Sequence, residues 1–357
     1  MLPWVGFPAV RIRLDRITGR AHRLDIFIQQ LINGVTLGSV YAIVALGYTM
    51  VYGIIQLINF AHGEVVMIGA MVAYTVIVAL NGAGTPLPPI AILLIGGLVA
   101  IPACMAVGFT LERAAYRPLR RAPRLAPLIT AIGLSIILQH LAMIIWSRNP
   151  LPYPQVVQSV SYHVTGSPDG ATITNVQIAI IAISFSLMAG LTLLVYRTKL
   201  GTAMRATAQN QAVAGLMGID INKVIAVTFV IGAALAAVAG VMVGTYYGVA
   251  HYQMGFLLGL KAFSTAVLGG IGNLAGAMLG GLLLGIIEAL GAGYVGDITN
   301  LCRFADWSDA IAQRCKTDPN LTLFGSNYQD VFAFLVLIMV LVFRPSGLLG
   351  ERVSDRA

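Results

Sequence analysis

The stretch from Ile26 to Phe60 reads IFIQQLINGVTLGSVYAIVALGYTMVYGIIQLINF and carries no Asp, Glu, Lys or Arg. A helix needs about 20 apolar residues to cross a hydrocarbon core about 30 Å thick, and this run is longer than that. It shows no strand-like alternation. In lipid every backbone N–H and C=O must be satisfied within the protein, which leaves helices and closed barrels. The run therefore reads as helix. Gly34, Gly38, Gly47 and Gly53 interrupt it, so a broken helix and an added partial crossing both fit. A polar patch, Asn59-Phe60-Ala61-His62-Gly63-Glu64, separates it from the next apolar run. That patch is either the broken-helix mouth of a solute pathway or a simple interfacial turn.

Working outward, apolar runs recur near 27–53, 64–81, 89–111, 128–146, 175–196, 223–247, 256–272, 274–292 and 329–343. The expected fold is all-α: a polytopic transmembrane helical bundle of about eight or nine spans, with a short cytoplasmic coupling helix. Only 10% of the 357 residues are charged, against about 25% in a soluble domain, too few to cover a water-facing surface. The net charge of +8 does not point to nucleic acid. Its basic residues sit at the ends of apolar runs, without interleaved aromatics. The bilayer is the partner this pattern fits.

Lys and Arg mark cytoplasmic loops. Glu112 to Arg124, ERAAYRPLRRAPR, holds five arginines against one acid. The segment from Arg197 to Lys223 sets Arg197, Lys199, Arg205 and Lys223 against Asp220, and the tail after Arg344 is a third basic end. The loop 147–174 is rich in Pro, Ser, Thr and Tyr, and 293–328 has four Asp against three basic residues, so both are expected on the other side. Counting back from the arginine loop through three spans puts residue 1 outside. Arg11, Arg13, Arg16, Arg20 and Arg23 argue for inside. The organisation expected is a basic tail 1–25, disordered or lying on anionic lipid, a transmembrane domain 26–350, and a C-terminal tail 351–357. The domain includes the cytoplasmic segment 197–222 and the external loop 293–328.

No G-x-x-x-x-G-K-[ST] phosphate loop is present; Gly269-Gly270-Ile271-Gly272 leads to Asn273 instead. There is no H-E-x-x-H, G-x-S-x-G or C-x-x-C either. The chain reads as no enzyme, with no metal and no cofactor of its own. Ionisable groups at membrane depth cost about 2.5–3.5 kcal/mol on insertion scales and are functional by default. Glu64, Lys261 and Glu288 are the three here. Lys261 either snorkels to the interface or pairs with Glu288 or Glu64; a structural ion pair of Lys261 with Glu288 is the reading adopted. Cys104 lies in an apolar run and reads as a packing residue. Gly276, Gly280, Gly281 and Gly285, and Gly232 and Gly240, read as close helix packing.

After the fifth span comes RTKLGTAMRATAQNQAVAGLMGIDINKV, Arg197 to Val224. Helix formers and small residues fill Arg205 to Gly215, Gly218 is a stop, and Asp220 and Asn222 can cap the next span. Alanines at 206, 208, 212 and 214, with a single charge at Arg205, give a small-residue surface. Such a surface invites docking more than solvation.

Three passages resemble the permease subunits of branched-chain amino acid ABC importers. The first is Leu31 to Glu64. The second is Arg205-Ala206-x-Ala208-x-Asn210-x-x-x-Ala214-x-x-x-Gly218-Ile219. The third is Gly259-Leu260-Lys261-Ala262-Phe263-x-x-Ala266-Val267-Leu268-Gly269-Gly270-x-Gly272. A closing Phe343-Arg344-Pro345-x-Gly347-Leu348 also matches, and the likeness covers about residues 26–350. The resemblance implies a multi-pass protein of the bacterial inner membrane that pairs with a second permease, usually a different one. Two cytoplasmic ATPase subunits would hydrolyse the ATP, and a periplasmic solute-binding protein would deliver the solute. Arg205, Ala206, Ala208, Asn210, Ala214, Gly215, Gly218 and Ile219 would form the coupling segment to the ATPases. A zwitterion needs polar groups along its route; the candidates are Asn33, Thr36, Tyr41, Asn59, His62 and Glu64.

Residues 1–24 and the loop near 293–328 depart from the family pattern. If that loop is periplasmic it is in an oxidising compartment, and a disulfide between Cys302 and Cys315 is expected, worth ~2–3 kcal/mol in the chain-entropy view. Sister systems import urea, short amides or other amino acids. An ion-coupled secondary transporter is the rival from another class, and would need acidic relays near mid-membrane; a passive channel would not need the docking helix.

Overall fold

The computed structural model describes residues 8–84, 86–120, 122–123, 125–165, 170–298, 302 and 328–350. It is a helical bundle. Seven described helices are long and apolar enough to cross a bilayer, and two shorter apolar helices, Met254–Gly269 and Gln329–Phe343, accompany them. Each falls on one of the apolar runs read from the sequence. In chain order the helices are α1 (Pro8–Ile55), α2 (His62–Gly82), α3 (Pro89–Leu111), α4 (Arg117–Leu119) and α5 (Leu125–Ile145). They continue as α6 (Asn175–Arg197), α7 (Lys199–Gln209), α8 (Gln211–Leu216), α9 (Ile221–Tyr247), α10 (Met254–Gly269), α11 (Leu274–Ile298) and α12 (Gln329–Phe343). A π-helical turn, Glu112–Tyr116, joins α3 to α4. Two small antiparallel ribbons complete the described structure: β1 (Leu151–Pro152) with β4 (Val249–Ala250), and β2 (Ser161–His163) with β3 (Thr172–Thr174).

Hydrogen bonds sort the connections to two ends. At one end the Gln211 amide donates to Ile54 O at 3.1 Å and Arg120 donates to Asn222 at 2.8 Å. This basic end therefore holds the foot of α1, the α3–α5 connection, α7, α8 and the start of α9. Leu348 N–H donates to Leu268 O at 2.9 Å, which ties the tail after α12 to the end of α10. At the opposite end Thr172 N–H donates to Gln29 at 2.8 Å, and β1 pairs with β4. The apolar part of α1 thus starts at the end opposite Arg120, as the span count required. The extra crossing considered for Ile26–Phe60 is absent: one uninterrupted helix runs from Pro8 to Ile55, through the boundary drawn at 25/26.

That helix tolerates its glycines because they form a seam. A Cβ on Gly34 would lie 2.6 Å from Ile286 Cα, and one on Gly38 would lie 2.8 Å from Leu282 Cα. A Cβ on Gly281 would lie 2.6 Å from Ala42 Cα, and one on Gly285 would overlap the Gly38 backbone. Lipid offers no hydrophobic drive to association, so close backbone approach supplies the contact. Gly285→Val should accordingly cost at least about 1–3 kcal/mol by overpacking. It would be read as a lower melting temperature of the purified protein; an unchanged value would contradict the seam.

The chain breaks after α1, not within it. Gln56 has φ 52°, the left-handed region in which a side chain is strained. The chain then turns back into the bundle, and α2 begins beside Gly47, where a Cβ would overlap the His62 ring. Gly47 lies about 12 Å back up α1 from its foot, at 1.5 Å per residue. Asn59, Ala61, His62 and Glu64 are all buried. Irregular backbone at that depth is tolerated only when protein surrounds it, and here it does. α10 also starts deep: a Cβ on Gly63 would lie 2.8 Å from Gly259 Cα. Two helix N-termini therefore meet inside the bundle.

Candidate functional site

Glu64 sits in the first turn of α2 with no exposure. Its Oε1 accepts from Ser135 Oγ at 2.9 Å and from Gln139 Nε2 at 2.7 Å, both on α5. Its Oε2 has no partner among the described residues and faces the first turn of α10, where a Cβ on Gly255 would sit 2.6 Å away. The His62 ring packs edge-on against Tyr48 at 4.9 Å, and Asn59 Oδ1 accepts from Tyr116 Oη at 2.8 Å. The patch is thus a buried junction of α1, α2, α5 and α10, and not an interfacial turn.

The other three path candidates lie elsewhere. Asn33 Oδ1 accepts from Gln29 and from Gln177 at 3.2 and 3.1 Å, at the end opposite Arg120. Thr36 Oγ1 donates to Ile32 O of its own helix at 2.8 Å. Tyr41 Oη donates to Glu288 Oε1 at 3.3 Å. Of the six residues, only Asn59, His62 and Glu64 come together at this junction.

Lys261 neither snorkels nor meets Glu64. Its Nζ lies 2.7 Å from Glu288 Oε1, 2.8 Å from Asp330 Oδ1 and 3.3 Å from Tyr41 Oη. The pairing with Glu288 is as read, while Asp330 was missed. An acid opening the last apolar run was the available signal. Ser135 and Gln139 were missed too. They are two polar residues four apart in one apolar run, the spacing of a single helix face.

The coupling segment is two helices where one was expected. Asn210 is extended, with φ −157°, and its side chain accepts from Val213 N–H. It ends α7 and caps α8, because a short polar side chain competes with the helix for backbone donors. Thr198 caps α7 through Gly201 N–H at 3.1 Å. At the far end Gly218 has φ 83°, Ile219 N–H reaches Ala214 O, and Gly218 N–H reaches Gly215 O, both at 3.1 Å. This is a Schellman stop. Asp220, not Asn222, caps α9, accepting from Lys223 N–H at 3.2 Å; Asn222 is engaged by Arg120. Arg120 also pairs with Glu112.

Of the four alanines only Ala212 lies on the outer surface of this segment. Ala214 is buried, Ala206 and Ala208 are half-buried, and Gly215 is exposed. The small side chains let α7 and α8 lie close to the bundle. Arg205 is turned back as well, donating to Val195 O at 3.0 Å and lying over the Tyr196 ring. The outward face is apolar instead: Val213 is 52% exposed, Leu216 87% and Met217 79%. Between this segment, the foot of α1 and the Arg120 turn lies a cavity of about 250 Å³ bordered by Tyr52, Gln56, Arg120 and Gln211.

The backbone N–H of Lys223 chiefly holds the Asp220 carboxyl below its usual range; desolvation opposes it, and the Lys223 ammonium adds to the lowering. A depressed carboxylate stabilises above its unfolded value, near 3.9, and loses that contribution as pH falls through its folded value. Acidification from about pH 5 to 3 should therefore lower the melting temperature of wild type more than that of Asp220→Asn, whose cap cannot titrate. Equal losses would contradict the assignment. Cys104 is free and buried. Cys302 is disulfide-bonded, and Cys315 lies outside the described residues.

Comparison with known proteins gives this geometry its family. The profile described as "Branched-chain amino acid transport system / permease component" matches residues 30–341. The high-affinity branched-chain amino acid transport system permease protein BraD of Pseudomonas aeruginosa is 46% identical over 325 residues, covering 91% of this chain and 96% of BraD. The similarly described LivH proteins of Salmonella typhimurium and Escherichia coli are each 43% identical, over 327 and 328 residues, covering 91% of this chain and 96% of theirs. The chain is a multi-pass membrane protein and belongs to the permease family of branched-chain amino acid transport systems.

Proposed function

We propose that this chain forms one half of the solute pathway of an ATP-driven importer of branched-chain amino acids in the bacterial inner membrane. Its basic end faces the cytoplasm, as the excess of Arg and Lys there favours. A second permease subunit completes the pathway, two ATPase subunits dock on α7 and α8, and a solute-binding protein delivers the amino acid at the opposite end. The chain itself carries out no chemical step and binds no nucleotide; ATP is hydrolysed by its partners. The observation that carries this reading is the outward apolar face of Val213, Leu216 and Met217 on a short, doubly capped helix. Water does not favour such a face, and a partner's groove does. The sequence likeness to BraD and LivH supports the solute class.

The test is co-expression with the adjacent transport genes, purification through a tag on this chain, and uptake into vesicles loaded with ATP. An ATPase should copurify, and leucine uptake should need both ATP and the binding protein. Absence of any ATPase, with uptake following an imposed ion gradient, would favour the secondary-transporter reading.

A further inference from the structure

The described spans bury or terminally place nearly every ionisable group. Glu64, Glu112 and Glu288 are buried, Lys261 is half-buried within an ion cluster, and Lys223, Arg197 and Asp330 stand at helix ends. Among the described residues, His140 is the His, Lys, Arg, Asp or Glu left exposed inside a span, three-quarters of the way along α5. Beside it Gln139 is half-exposed. Elsewhere the exposed faces are apolar, on α5 itself (Ile132, Ile137 and Leu141) as on α3 (Leu94 and Leu98) and α12 (Leu335 and Ile338), so His140 and Gln139 form a polar break in an apolar surface. Side chains such as His within spans face a bundle interior or a water-filled cavity as a rule.

The hydrogen bonds fix what these two residues can offer. Gln139 Nε2 donates to the Glu64 carboxylate at 2.7 Å and approaches Ser135 Oγ at 3.5 Å. A carboxylate accepts only, so the nitrogen must be the atom facing it, and the amide oxygen is left to receive a donor. His140 Nδ1 lies 2.8 Å from Ile136 O. A carbonyl also only accepts, so Nδ1 carries the proton and, in the neutral ring, Nε2 presents a lone pair. Two acceptors thus sit side by side on α5, and among the described residues no Lys or Arg hydrogen-bonds to either. The same helix face carries the exposed side chains Ile136 and Ile144, one turn to either side of His140.

We propose that the α5 edge bearing Gln139 and His140 borders the solute pathway, with its two acceptors receiving the primary ammonium group of the amino acid in transit. The isoleucines beside them take the aliphatic side chain. Glu64 holds the Gln139 amide in the orientation that leaves its oxygen free. This rests on the importer reading and adds to it the wall of the pathway and the end of the solute that the wall recognises.

The test is cysteine accessibility in the full complex with its ATPase and second permease, reconstituted in vesicles. His140→Cys and Gln139→Cys are compared with the lipid-facing controls Leu94→Cys and Ile338→Cys. Only a thiolate reacts with a charged, membrane-impermeant thiosulfonate, and a thiol in hydrocarbon does not ionise. At least one of His140→Cys and Gln139→Cys should react about tenfold or more faster than both controls. Leucine with its binding protein should slow that reaction, and butylamine, which keeps the ammonium and lacks the carboxylate, should slow it at higher concentration. Reaction of both variants at the control rate would overturn the proposal, and so would fast reaction that neither leucine nor butylamine changes. ATP-dependent uptake by unmodified wild-type vesicles is scored separately, so loss of the importer reading is distinguishable from loss of this one.

Discussion

Leu216→Arg combined with Met217→Arg should uncouple transport while leaving the membrane-embedded bundle intact. Both side chains point away from the protein, at 87% and 79% exposure, so nothing inside the bundle loses a contact. The caps that hold α8, Asn210 before it and Gly218 after it, are untouched. What changes is the face offered to the ATPase. Truncating the anchor of an interface costs about 2–4 kcal/mol, which is about thirtyfold or more in affinity. Forcing two charges into an apolar groove adds desolvation to that loss. The expected result is wild-type melting behaviour of the permease, with copurifying ATPase and ATP-dependent uptake both reduced by at least about thirtyfold. Ala214→Glu should act differently. Ala214 is buried, so a carboxylate there disturbs α8 itself and lowers stability together with docking. Normal uptake by the double arginine variant would remove α8 from the contact.

The second large effect is expected at Lys261. Its ammonium serves a buried Glu288 and a partly exposed Asp330, whose side chains are 1% and 39% exposed. Lys261→Met leaves the Glu288 carboxylate uncompensated in a dry site, and breaking a buried pair in this way costs about 3–5 kcal/mol. Replacing both members, Lys261→Met with Glu288→Met, removes the stranded charge and should recover most of that loss, because a buried pair exchanged for well-packed apolar side chains is often neutral or stabilising by about 1–4 kcal/mol. Asp330→Asn should cost no more than about 1 kcal/mol, since water already screens it. Thermal unfolding of the four proteins in one detergent measures all of this. A double variant no better than Lys261→Met would show that the pair itself, and not charge compensation, holds α1, α10, α11 and α12 together.

The bundle was legible because apolar length is a strong signal: each of the nine runs became a helix, eight of them at nearly the expected bounds and the first extended back to Pro8. The caps at Thr198, Asn210 and Asp220 are equally local, although Asn210 was read only as part of a family pattern. It is the residue that splits one expected helix into two. What stayed hidden depends on depth and direction. Nothing in Asn59-Phe60-Ala61-His62-Gly63-Glu64 says that the chain has already turned back into the bundle, because a surface turn and a buried re-entry use the same polar and small residues. Glu64 could be named as costly, but its partners Ser135 and Gln139 are more than seventy residues away, and only helix packing brings them near. Three of the four alanines of the coupling segment, Ala206, Ala208 and Ala214, misled for a related reason. Small residues mark close contact, and their partner turned out to be the bundle itself.

The central claim is that an ATPase engaged at the basic end drives a solute supplied at the other. ATP hydrolysis by the complex in sealed vesicles, with and without binding protein carrying leucine, tests it most directly. The account predicts hydrolysis that rises with the loaded binding protein and that is lost, basal and stimulated alike, in the Leu216→Arg, Met217→Arg variant. Hydrolysis indifferent to the loaded binding protein, or unchanged in that variant, would contradict it.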